Sequence, residues 1–125
     1  KLAGKVNMLN SHTLDIQFKS DGSTLADTGE ISMPKTTDNQ NWILDTTFII
    51  REVGTAGTAS ILSSGMFTVR KDAAGEVVSE IFSFQNNTTF DTTISNTLSI
   101  IGIMGPACTD TENIYSELFT LHKVY

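Results

Sequence analysis

Apolar and polar residues alternate along most of this chain, and that period of two predicts strands. From Thr13 to Lys19, Leu14, Ile16 and Phe18 interleave with Asp15, Gln17 and Lys19, the cleanest half-buried strand in the sequence. Ser20-Asp21-Gly22-Ser23 closes it with turn chemistry, because Asp bonds its own backbone and Gly accepts positive φ. Leu25 to Asn41 is polar and broken by Gly29 and Pro34. It reads as a long loop with, at most, a short edge strand at Glu30–Met33.

Alternation returns at Asn41–Val53, where Trp42, Leu44, Phe48 and Ile50 form the more apolar parity and are expected to face the core. Gly54–Gly57 then predicts a tight turn, and Thr58–Lys71 a second strand with Ile61, Phe67 and Val69 on one face, completing a hairpin. Gly65 inside that strand marks a bulge or a close backbone approach. A turn at Asp72–Gly75 precedes Glu76–Gln85, where Val78, Phe82 and Phe84 share a face interrupted by Glu80. After a turn from Gly105 through Asp110, a last strand runs from about Asn113 to Tyr125, with Tyr115, Phe119, Leu121 and Tyr125 on one parity.

One stretch breaks the pattern. Asn86–Gly105 starts as polar turn material, passes Phe90 and Ile94, and ends in Leu98, Ile100, Ile101, Ile103 and Met104, apolar on both parities. A strand apolar on one face covers a core, whereas one apolar on both faces needs a second cover, a sheet layer or another copy of the protein. About eight strands without a convincing amphipathic helix predict an all-β antiparallel β-sandwich or barrel. The long N-terminal loop, read as a crossing between sheets, favours an eight-stranded jelly roll. The 125 residues suit one domain, 1–125.

Composition narrows function by exclusion. Charged residues make up 18% of the chain and the net charge is -6. Nucleic acid is therefore not an expected partner, since phosphate contacts need clustered Lys and Arg. No apolar run is long enough to span a bilayer, and no signal-peptide pattern is present. The chain opens on Lys1 rather than Met, which reads as a processed product or a piece of a longer protein. Cys108 is the only cysteine, so no disulfide forms within the chain.

Candidate chemistry is sparse. His12 and His122 lack neighbours at metal-ligand spacing and read as surface or edge-strand residues. The loop acids Asp21, Asp27, Glu30, Asp38, Asp110 and Glu112 show no EF-hand spacing and read as solvated. No serine lies in a nucleophile elbow, and no pair of carboxylates stands out for glycoside hydrolysis. No catalytic residue, metal site or cofactor is expected. Trp42, Tyr115 and Tyr125 are the amphipathic aromatics that could meet a glycan, but core or interface roles explain them more simply.

Three segments carry a likeness: REVGTAGTA at Arg51–Ala59, TFDTTISNTL at Thr89–Leu98 and NIYSELFTL at Asn113–Leu121. Together they resemble the C-terminal jelly-roll domains of phage and other viral virion proteins, those of head fibres, capsid decoration or cement proteins and fibre tips. The likeness runs roughly from Trp42 to Tyr125 and departs at Gly102–Cys108, which is more apolar than in such domains. It implies a non-enzymatic homotrimer on the virion surface, with capsid or fibre-shaft proteins as partners and a preceding segment as anchor. Leu98, Ile101 and Ile103 would then lie at the trimer axis, with Ile100 and Met104 exchanging roles if the register slips by one. A fibre tip would instead bind a receptor or host-surface glycan, with Trp42 and Tyr115 as contacts.

Overall fold

The computed structural model describes residues 1–36, 38–70, 75–105 and 112–122. Among these the chain forms strands and no helix: β1 (Leu2–Asn7), β2 (His12–Ser20), β3 (Ser23–Met33), β4 (Gln40–Glu52), β5 (Ser60–Arg70), β6 (Val77–Asn86), β7 (Leu98–Met104) and β8 (Asn113–Phe119). A five-stranded sheet in the order β6-β5-β4-β1-β8 packs on a three-stranded sheet in the order β3-β2-β7, every pairing antiparallel. This is the expected β-sandwich. The first strand pairs with the last, β2 with β7 and β4 with β5. Two early strands are thus nested on late ones, β1 on β8 and β2 on β7, while β3 and β6 lie in different sheets.

The layers meet through the inward parity of each strand. Phe18 of β2 packs edge-on against Phe48 of β4 at 5.5 Å and lies 5.3 Å from Phe82 of β6, joining the two sheets across the core. Trp42 lies 6.0 Å from Phe67 in the same cluster, with Leu14, Ile16, Leu44 and Val69. A second cluster gathers Leu25, Ala59, Ile61 and Phe90 against Phe48. Ile50, expected inward, is exposed at the far end of β4.

Phe90 reaches that cluster because the polar stretch before β7 is tied down at both ends. The Asn86 side-chain carbonyl accepts the N–H groups of Thr88, Thr89 and Phe90 at 3.1–3.2 Å. Further on, Thr92 donates its N–H to the Gly54 carbonyl at 2.9 Å, while its hydroxyl accepts the Gly54 N–H at 2.8 Å. The β4–β5 turn is therefore buttressed by a segment 38 residues away.

Three elements differ from expectation. β1 carries only Leu2, Val6 and a flanking Met8 as large apolar groups, too few to show a period. Its centre is Gly4, where any Cβ would collide with the Tyr115 carbonyl of β8 and come within 2.8 Å of the Ser116 backbone. β3 replaces most of the expected loop at Leu25–Asn41. Its alternation is scrambled by two register shifts against β2, between Asp15 and Gln17 and between Phe18 and Lys19. At the first shift the Thr28 hydroxyl accepts the Ile16 N–H at 3.0 Å and the Asp27 carboxylate accepts the Gly29 N–H at 2.6 Å. Side chains stand in for missing ladder bonds, and the polar residues that suggested a loop are what build the bulge. The last strand ends at Phe119, sooner than expected, although Thr120 still exchanges bonds with Lys1. The expected turns at Asp72–Gly75 and Gly105–Asp110, Cys108, and the chain end at Tyr125 lie wholly or largely outside the described residues.

Candidate functional site

β7 divides its apolar residues between two environments. Ile100, Gly102 and Met104 stand opposite Phe18, Ile16 and Leu14 and face the core. Ile101 and Ile103 stand opposite Gln17 and Asp15 on the outer face of the three-stranded sheet, 40% and 46% exposed. Leu98 is exposed too, but it has the inward parity of Ile100, at the strand's start. Of the three residues expected at an axis, Ile101 and Ile103 therefore share a surface and Leu98 does not.

That surface carries three acids, Asp15, Asp27 and Glu30, against one cation, Lys19. Asp15 pairs with Glu30 in the β2–β3 ladder and Gln17 with Asp27. The Gln17 amide donates to Asp15 Oδ2 at 2.9 Å and to Asp27 Oδ2 at 3.3 Å, while Asp15 Oδ1 is buried without a protein partner. Burial pushes the Asp15 carboxyl above its ordinary 3.8; the Gln17 bond opposes this, and the nearby charges of Asp27 and Glu30 add to it. An acid raised in the folded state costs stability when ionised. The cost is full above the folded pKa and disappears as pH falls toward 3.8. Asp15→Asn is expected to raise the urea midpoint at neutral pH, with the gain shrinking as the buffer is acidified through that window.

The outer face of the five-stranded sheet has a different character. Successive ladder rows bring Ile81 of β6 beside Met66 and Asp45, then Ser79 beside Thr68, Ile43, Ala3 and Leu118. Ile43, Met66, Ile81 and Leu118 are all exposed, Ile81 at 82%. The intervening positions are largely Ser and Thr. Asp45 has the Lys1 ammonium at 3.9 Å, and Lys5 Nζ donates to the side-chain Oδ1 of Asn41 at 2.6 Å. The parity opposite to the core set of β4 and β5 hinted at this face, but the outward residues of β6 and β8 showed no such signal.

His12 and Glu112 correct two expectations. His12 is not a surface residue and Glu112 is not solvated, because the imidazole Nε2 and the carboxylate Oε1 meet at 2.9 Å with their side chains 7% and 0% exposed. The same oxygen accepts the Asn10 N–H at 2.9 Å. The pair ties the start of β2 to the residue preceding β8. Sealed from solvent, it acts as a structural clamp.

Trp42 is a core residue rather than a glycan platform. It is buried, and its indole N–H is shared between the Lys5 and Tyr115 carbonyls, 3.1 Å from each. Tyr115 is 44% exposed on the edge strand. An open groove of about 660 Å³ runs past Ser11, Thr13, Glu30 and Ser32, and an apolar cleft of about 200 Å³ opens between β7 and β8, lined by Leu2, Ile100, Gly102 and Ile114. Among the described residues no group of three or more His, Cys, Asp or Glu side chains is placed to hold a metal ion. No family model, curated protein or solved structure matches the chain.

Proposed function

We propose that this chain is a non-enzymatic building block that assembles with copies of itself, in the form of a trimeric sandwich on a virion surface that decorates a capsid or forms the head of a fibre. The observation that carries the reading is the exposure of large apolar side chains on the outer faces of both sheets, Ile43, Met66 and Ile81 on one and Ile101 and Ile103 on the other. Scattered exposed apolar residues are ordinary, but rows of them across adjacent strands mark an interface. The trimeric state, the virion location and the capsid or fibre-shaft partners rest on the resemblance of the Arg51–Ala59, Thr89–Leu98 and Asn113–Leu121 segments. The buried His12–Glu112 clamp and the bonds anchoring Thr92 to Gly54 fit a protein whose work is to persist as a rigid unit. Native mass spectrometry of the unmodified chain tests the reading. Ions of three chains of 13.6 kDa each are expected, and only single-chain ions would overturn it.

A further inference from the structure

We infer that the surface joining the copies is the outer face of the five-stranded sheet and not the Ile101–Ile103 face, an inference that rests on the assembly reading above. Both faces are apolar enough to attract a second copy, so charge decides between them. The chain carries a net charge of -6, and every copy brought close must overcome that repulsion. Facing copies of the three-stranded sheet would bring Asp15, Asp27 and Glu30 toward like clusters, with Asp15 already disfavoured as an anion by burial.

The five-stranded face presents the reverse condition. On β1, β5 and β6, and from Asn41 to Ile50 of β4, Asp45 is the only acid at an outward position, and Lys1 lies beside it. Lys5 and Arg70 share an outward row, Lys5 pairing with Asn41 and Arg70 following the Val69 that pairs with Trp42. Lys1, Lys5 and Arg70 stand here against Asp45 and the exposed Glu117 at the β8 bulge, so copies meeting through this face avoid the acid-on-acid contact of the other. Its centre, built from Ile81, Met66, Ile43 and Leu118 among Ser and Thr, carries Asp45 and the nearby Lys1 as its charges, the low charge content of an interface core. A cyclic trimer with this face toward its axis would bury these residues three times over, leaving the acidic face outward.

Paired substitutions compared by light scattering test this. Met66→Lys with Ile81→Lys is expected to weaken association at least about tenfold, giving single chains with an unchanged circular dichroism spectrum, whereas Ile101→Lys with Ile103→Lys leaves the oligomer intact. Ile81→Lys alone serves as the second variant, because a side chain 82% exposed can change without disturbing the core. Dissociation by the Ile101/Ile103 pair with no effect of Ile81→Lys would overturn the inference while keeping the assembly. An unmodified chain that is already monomeric would instead remove the assembly reading itself.

Discussion

Glu112→Ala is expected to destabilise the fold by about 2–5 kcal/mol, because two polar groups lose a buried acceptor. The carboxylate is fully enclosed and serves two groups, His12 Nε2 and the Asn10 N–H, both at 2.9 Å. Alanine leaves both groups without that acceptor in a place water does not reach, and each orphaned polar group costs about 1–3 kcal/mol. Glu112→Gln retains an oxygen for the Asn10 N–H and is expected to lose less. Urea unfolding monitored by Trp42 fluorescence measures both. An alanine variant within about 0.5 kcal/mol of the parent, the range of ordinary surface substitutions, would show that the clamp contributes nothing.

Gly65→Ala is the second large effect, expected at about 3 kcal/mol or more. Gly65 stands opposite Thr46 on β4 and Phe82 on β6, in the middle of the five-stranded sheet. A Cβ there would collide with the Asp45 carbonyl and lie 2.8 Å from the Thr46 Cα and 2.9 Å from the Phe82 ring. The ring can swing aside in isolation, but the β4 backbone is held by the β5 ladder at Asp45 and Thr46 and by the β1 ladder up to the adjoining Leu44. Phe82 also touches Phe18, so the disturbance reaches the contact that joins the sheets. A thermal midpoint unchanged by this substitution would mean that the β4–β5 ladder is looser than described.

The same glycine shows what could be read before the fold was known. A glycine inside an alternating strand signals a close approach, and here that approach is to the backbone of β4, with the β4–β5 register shift lying elsewhere, between Ile50 and Glu52. β2, β4 and β5 were legible because Leu14, Ile16, Phe18, Trp42, Leu44, Phe67 and Val69 keep a strict period against a single core. β1 was not, since Gly4 is required for close packing and says nothing about burial. β3 was hidden by its own bulges, where Asp27, Thr28 and Gly29 look like loop residues and act as ladder substitutes. In β7 both parities are apolar, so the pattern revealed that two faces needed cover without revealing which one faced the core. The His12–Glu112 clamp joins residues 100 positions apart, a separation that no local spacing can announce.

The candidate surfaces follow the same logic. Ile101 and Ile103 were visible as apolar excess, but the acidity of their face depends on which residues β3 sets beside β2, and thus on the bulges. The low-charge face is spread over five strands, from Val77 on β6 to Leu118 on β8, and exists only once the sheet order is known.

The most direct test of the central claim, that copies of this sandwich associate, is the light-scattering mass of the unmodified chain over a dilution series. A mass of three chains that persists on dilution into the micromolar range is the predicted result. A mass of 13.6 kDa at every concentration would contradict the account and leave the exposed apolar side chains of both outer faces without a partner.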